Sequence, residues 1–490
     1  MTTPLDRTNP NPGYWPSEWP VECGGNHRQK ARSGRLDAAS GTAEVVTRRN
    51  DRWNVMVVER DPGEWFLGGT MPAFTGPPPY GWVERIDPET LEPTRSSGHL
   101  PCGDHVWCGA ILAHANGSIH SVNGSYLHRL DPDCRVIAER ELPADRSHNG
   151  LLALSDGTLI TKDLRLEGQG GTTITRLDPD CRVVAERELP VDRSHNGLLA
   201  LSDGTLVTKD LRLEDQGGTT ITRLDPDTLD LIGEPIVLPE GSMGRIAGEH
   251  GPDGDTVIVP GTEHLWRIRI DGSGMHVDGS WSPRYRTAGG DHGLAWDSCL
   301  SDGAAWLMDC GDVEPVRLIH TTDPNGRWAD PPGSRLSWRH PTPWTGALRL
   351  LRVALDGSGT VDVIEPFGTP GGGIIAPPVH VPEHQMAVVW DSVNGGLAGV
   401  DTSDGLAVRW HLDVRPTMQP VVFPDSAEMV INDFTREGAD HLIVIDYRTG
   451  DLLDRVDTGS RIANGMFLTP GGNRDVFYCP TLWLARVAWH

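Results

Sequence analysis

Arg129-Leu130-Asp131-Pro132-Asp133-Cys134 opens a 47-residue stretch that the chain at once repeats, starting Arg176-Leu177-Asp178-Pro179-Asp180-Cys181. Four of the 47 aligned positions differ: Ile137/Val184, Ala144/Val191, Ile160/Val207 and Gly168/Asp215. Three of these differences keep apolar character, which implies that both copies fold. Self-similarity at a fixed period of this size marks a repeat architecture. Within one period, Asn149-Gly150-Leu151-Leu152-Ala153-Leu154 reads as a short apolar strand and Ser155-Asp156-Gly157 as a turn. Thr158-Leu159-Ile160-Thr161-Lys162 reads as a second strand. A Gly-rich link leads to Thr172-Thr173-Ile174-Thr175-Arg176-Leu177, and the Asp178-Pro179-Asp180 turn leads to Arg182-Val183-Val184-Ala185-Glu186. Four short strands joined by Gly, Asp and Pro turns make one antiparallel sheet. Roughly forty to fifty residues per four-stranded unit is the size of a β-propeller blade.

The same strand-to-turn signal recurs along the chain, at Arg85-Ile86-Asp87-Pro88 and then at Asp131, Asp178, Asp225, Asp271, Asp356, Asp401 and Asp446. The intervals are 44, 47, 47, 46, 85, 45 and 45 residues. The long one holds either an insertion around 331–343 or a degenerate blade. The tail Leu484-Ala485-Arg486-Val487-Ala488-Trp489-His490 reads as a third strand without its fourth, which residues 43–48 would supply. The expected fold is therefore all-β, a single closed β-propeller of four-stranded blades. Eight is the best blade count, within a range of seven to nine. Residues 1–42 are expected as a partly irregular N-terminal extension. Residues 43–490 form the propeller, closed by its N- and C-terminal strands, with an insertion near 314–348.

Composition narrows the partners. Hydrophobic content of 37 % with 58 Gly and 39 Pro describes a turn-rich globular chain. A formal charge of -25 speaks against nucleic acid or an anionic membrane as partner. The start of the chain carries no apolar leader and no run has transmembrane length, so a cytoplasmic location is expected. Eight cysteines in such a chain are expected as reduced thiols. Lysine occurs only at Lys30, Lys162 and Lys209, against forty arginines (43 − 3).

Trp296-Asp297 and Trp390-Asp391 lack the Gly-His partner of WD40 repeats at blade spacing. Asn149-Gly150-Leu151 with Ser155-Asp156-Gly157-Thr158-Leu159, and Asn464-Gly465-Met466 with Pro470-Gly471-Gly472, resemble inner strands of another group. They are similar to those of the gluconolactonase/SMP-30 group and of quinoprotein-like propellers. That resemblance implies a channel-bound divalent metal, with Asn149, Asn196 and Asn464 as candidate ligands. The family's acidic ligands have no counterparts here, and histidines stand in their place.

Counting 17 or 18 residues on from each turn aspartate reaches the start of the next blade's first strand, which lines the channel. His105, His148, His195, Met243, Gly373, Met418 and Asn464 fall there, and His292 follows Asp271 at 21 residues. Four convergent imidazoles, His105, His148, His195 and His292, are what a transition metal needs. They are the candidate metal ligands and catalytic acid–base groups. The expected cofactor is a divalent metal (Fe, Zn, Mn or Ca), and the expected activity is a hydrolase or lyase reaction on a small-molecule substrate by bound water. Two of these histidines are copies of one another, and a small polar residue at a blade entrance can simply bond the neighbouring loop. The alternatives are a four-His iron oxygenase, similar in architecture to the carotenoid-cleavage group, and a non-catalytic interaction scaffold. Lys162 and Lys209, in identical Thr-Lys-Asp-Leu contexts, are candidates for substrate binding, as are Met243 and Met418. Cys102 and Cys108 flank His105 at metal-like spacing but lack further ligands, and reduced core thiols are expected there, as at Cys299 and Cys310.

Overall fold

The computed structural model describes residues 12–25, 28, 30–71, 78–164, 171–189, 197–210, 217–287, 290–311, 319–321, 345–374, 376–435, 438–464 and 467–490. The aspartates that set the repeat length fold the turns they predict. Asp178 Oδ1 accepts the backbone N–H groups of Asp180 and Arg182 at 2.9 and 2.8 Å. Asp87, Asp131, Asp225, Asp271, Asp356, Asp401 and Asp446 each accept in the same way two to four residues on. A side-chain acceptor that closes a turn on its own backbone is why Asp fixes these corners.

Nine four-stranded antiparallel sheets result. In chain order their first strands are Trp53–Glu59, Cys108–Ala113, His148–Ala153, Leu198–Ala200, Ala247–Gly251, Leu294–Ser301, Val379–Val381, Val421–Phe423 and Leu468–Pro470. We number the blades 1 to 9 accordingly. First strands of blades 1 and 2, 2 and 3, 5 and 6, 8 and 9, and 9 and 1 touch, so the first strands face the axis. Outermost strands such as Pro93–Ser96 are exposed along their length. In blade 9 the outer strand is Ala43–Arg49, paired antiparallel with Trp483–Trp489 from Ala43↔Trp489 to Arg49↔Trp483.

The eight-bladed closed ring expected from the sequence is corrected on two counts. Among the described residues there are nine blades, and no ladder there joins one four-stranded sheet to the next, so the ring is not closed by hydrogen bonds. The miscount has a simple cause. Eight turn aspartates close eight third strands, whereas the third strand of blade 9, Trp483–Trp489, runs on without such a turn. The 85-residue interval is a single blade. In blade 6 the second strand, Ala304–Cys310, pairs with a third strand at Arg349–Ala354, and a long segment lies between them. Within that segment Ile319–Thr321 pairs with Ile462–Asn464, at the approach to blade 9.

Apolar cores lie between blades. One cluster fills the seam of blades 1 and 2 and another that of blades 3 and 4, while a larger one runs through blades 6 to 9. Burial of this surface against the neighbouring sheet is the main stabilising term, and Trp82, Trp306, Trp390 and Trp489 are among the largest side chains it encloses. Arg–Asp pairs repeat with the blades: Arg129 Nη1 meets Asp180, and Arg176 Nη1 meets Asp227 at 2.6 Å. All eight cysteines are free thiols. No helix among the described residues is long and apolar enough to cross a membrane.

Candidate functional site

At the leading ends of the first strands each described histidine is answered by its own surroundings. His105 Nε2 lies 2.9 Å from Asp145 Oδ1, with 28 % and 79 % of the two side chains exposed, so this pair sits on the rim. His148 begins the first strand of blade 3 and is fully buried. Its Nδ1 approaches the carbonyls of Arg146 and Gly124 at 3.0 and 3.3 Å, while Nε2 is buried without a hydrogen-bond partner. Burial pulls its pKa down to about 4, so the ring is neutral at neutral pH. His292 Nε2 lies 2.7 Å from the carbonyl of Ala347. Position 346 must be glycine for this, since a Cβ there would stand 2.3 Å from His292 Cε1.

His195 and Asn196 lie outside the described residues, as does the side chain of Asn464. Asn149 Oδ1 accepts from Trp107 Nε1 at 2.9 Å. Met418 is fully buried in the core of blades 6 to 9, and Met243 packs against that core. Among the described residues no three His, Cys, Asp or Glu side chains come together to hold a metal ion. Cys102 and Cys108 are buried, and burial raises the thiol pKa values to about 11 and about 12. Cys299 and Cys310 are not cross-strand neighbours: Cys299 faces Trp306, and Cys310 faces Leu294.

The two repeat lysines tie blades together. Lys162 Nζ donates to Thr208 Oγ1 of blade 4 at 2.8 Å, and Lys209 Nζ donates to the carbonyls of Asp210 and Ser242, both at 3.0 Å. They are 4 % and 1 % exposed.

The trailing ends of the first strands are different. There the segment before the first blade runs across the ring. Trp15 N–H donates to the carbonyl of Ala113 in blade 2, and Tyr14 Oη accepts from the N–H of Ala153 in blade 3. Glu59 of blade 1 donates its N–H to the carbonyl of Trp19. Further on, Ala31 bridges Val422 of blade 8, and Arg32 Nη1 donates to Glu59 Oε2 and to the carbonyl of Pro470, both at 2.9 Å. Trp19, Ala31, Leu36 and Ala38 complete the core of blades 6 to 9.

Between these anchors the chain carries Glu22, Cys23, Arg28 and Lys30 towards blades 5 and 6. Arg28 Nη2 pairs with Glu22 Oε1 at 2.7 Å. Blades 5 and 6 supply Arg245, Asp297 and Cys299. The residue before Arg245, Gly244, allows that approach, because a Cβ there would lie 1.7 Å from the carbonyl oxygen of Trp296. The first strand of blade 6 bulges between Ala295 and Ser298, and Asp297 on the bulge accepts the Arg245 N–H at 3.1 Å. The Arg245 guanidinium stands 3.6 Å from Asp297 Oδ2, and its Nε and Nη1 make no hydrogen bond among the described residues.

Lys30 is 3 % exposed, and its amine has neither a hydrogen bond nor an ion pair among the described residues. Burial, then the Arg28 cation, hold its pKa down to about 8, against the upward pull of Cys23, Cys299 and Asp297. Cys23, Arg28 and Lys30 all adopt the left-handed region, with φ of 58, 51 and 56°. Such conformations cost about 1–3 kcal/mol each in a non-glycine residue and cluster where a site demands them. With Lys30 protonated, three cations meet two carboxylates here, in a chain of net charge -25. Sequence reasoning missed this cluster. The one signal for it was the rarity of lysine, because all three lysines turn out to be buried.

Comparison with known proteins adds the fold and little else. No protein-family model and no curated protein sequence matches the chain. Among solved structures, AztD from Citrobacter koseri is 12 % identical over 89 % of this chain and 98 % of its own, with a TM-score of 0.41. The Dos1 propeller is 9 % identical over 76 % of this chain and 88 % of its own, at 0.47. The dihydro-heme d1 dehydrogenase NirN is 11 % identical over 87 % and 80 %, at 0.42. The likeness is one of fold alone. It does not carry the expected kinship with gluconolactonase-like or quinoprotein-like propellers beyond the β-propeller itself.

Proposed function

We propose that this propeller binds and transforms a small organic anion inside its channel, at the cationic cluster of Lys30, Arg28 and Arg245. The observation that carries this reading is Lys30, a buried amine without a partner in a strongly acidic protein. An unpaired buried charge costs several kcal/mol, so its presence calls for a compensating ligand. Arg245 adds two buried N–H donors without hydrogen bonds, in the fork that suits a carboxylate. The side chains of Arg28 and Arg245 are 32 % and 22 % exposed overall.

Calorimetric titration of the full chain with pyruvate and with lactate at low salt tests the reading. Binding that weakens tenfold or more in Lys30→Met and in Arg245→Met supports it. Binding of neither acid, or equal binding in both variants, overturns it.

A second reading retains the histidine end as the centre of a metal-dependent hydrolase or lyase. In its favour stands the buried, unpartnered Nε2 of His148. Near-stoichiometric zinc, iron, manganese or calcium in purified protein supports that reading, and metal-free protein of full activity counts against it.

A further inference from the structure

We infer that Lys30 is a covalent site for oxo acids, its amine forming an imine with an aldehyde or ketone carbon that sits beside a carboxylate. The inference rests on the anion-binding reading above and adds the substrate class and the chemistry. Three observations carry it.

The first is the contrast among the three lysines. Lys162 and Lys209 spend their N–H donors on neighbouring blades, whereas the Lys30 amine is uncommitted among the described residues. A nucleophile needs its lone pair, and an amine that bonds nothing can present it. The second is the placement of positive charge. Arg245 Nε and Nη1, buried without hydrogen bonds, stand beside Asp297, and the charges of Arg28 and Asp297 both act on the Lys30 amine, surroundings that suit a carboxylate. The third is the backbone. Left-handed φ at both Arg28 and Lys30 is the kind of strain that persists only where surrounding contacts over-determine it. Those contacts are the Ala31–Val422 bridge and the Arg32–Glu59 pair on the C-terminal side.

The chemistry balances without a redox partner. Lys30 Nζ attacks the carbonyl carbon, a C–N bond forms, and the carbonyl oxygen takes up a proton to give the carbinolamine. Protonation of that hydroxyl by solvent expels it as water and leaves the protonated imine, so one ammonium and one carbonyl become, in sum, one protonated imine and one water. The low pKa of the Lys30 amine, about 8 through burial and then Arg28, keeps a usable fraction neutral near pH 7 to 8.

Borohydride reduction tests this on the intact chain. Protein incubated with pyruvate and sodium borohydride is digested and its peptides are weighed. The expected result is a reduced adduct on Lys30, with Lys162 and Lys209 unmodified as internal controls. Lys30→Arg abolishes the adduct, Arg245→Met slows its formation tenfold or more, and acetaldehyde, which lacks the carboxylate, labels at least tenfold more slowly than pyruvate. Adduct confined to the chain's α-amine, spread over all lysines, or absent from folded protein overturns the inference. Lactate separates the two claims, since it has the carboxylate but no carbonyl. Lactate binding without a pyruvate adduct sinks the imine alone, and loss of lactate binding as well sinks the anion reading with it. Labelling of the unmodified chain decides the matter even where a variant fails to fold.

Discussion

The two ends of the channel are built by different parts of the chain. At the leading ends of the first strands, each histidine belongs to its own blade, and three described ones are held locally by Asp145, by the carbonyls of Arg146 and Gly124, and by the carbonyl of Ala347. From the trailing ends, one unrepeated segment ties blades 1, 2, 3, 8 and 9 and brings charge to Arg245 and Asp297, which lie before and early in the first strands of blades 5 and 6. The repeated end solves the same local problem many times. The unrepeated segment makes an arrangement that no single blade contains, and Lys30 lies on it.

The sharpest way to break this contrast is Arg32→Ala. Arg32 and Glu59 are 9 % and 4 % exposed at the side chain, and removing the cation strands the carboxylate. A loss of about 3–5 kcal/mol is expected in urea unfolding. A loss below about 1 kcal/mol would mean that the segment is not anchored as described.

Lys30→Met comes next. The unfolded lysine keeps its proton up to its ordinary 10.5, whereas the folded one releases it near 8. Between those values the unfolded state binds more protons, so this group's contribution to stability rises with pH across that window and is least below it. At pH 7 the variant is therefore expected to be more stable, by on the order of 3 kcal/mol before any packing change. The difference from wild type should shrink by pH 10. Thermal melts at both pH values check this, and a pH-independent difference would refute it.

Smaller effects belong to the other end. His292→Ala leaves the Ala347 carbonyl without its partner and is expected to cost about 1–3 kcal/mol. His105→Ala removes a rim ion pair and should cost no more than about 1 kcal/mol. If both substitutions instead abolish activity while leaving the melting temperature unchanged, the histidine end is the working one.

Much of the architecture was readable because Asp side chains close the same turn in blade after blade, by bonding their own backbone a few residues on. The count failed where that device is missing, in the third strand at Trp483–Trp489. The Lys162 and Lys209 contexts were equally legible as sequence but not as contacts, since what a buried amine meets depends on the next blade: Thr208 for one copy, Ser242 for the other. The Lys30 cluster was invisible for a stronger reason. Its members come from residues 22–30 and from positions 245 and 297–299, and only the assembled blades make them neighbours.

Blade 9 has one more consequence, for synthesis on the ribosome. Its outer strand, Ala43–Arg49, emerges early, while its partner Trp483–Trp489 comes only after all the other blades. The segment that carries Lys30 likewise docks on Val422 and Pro470, which are translated late. Domains fold largely as their chains appear, so the early strand and the segment that carries Lys30 must both wait, undocked, until the last blades exist. Assembly of the cationic cluster thus reports that the chain has been read to its final sheet, and a nascent or truncated product would lack it even with most blades folded.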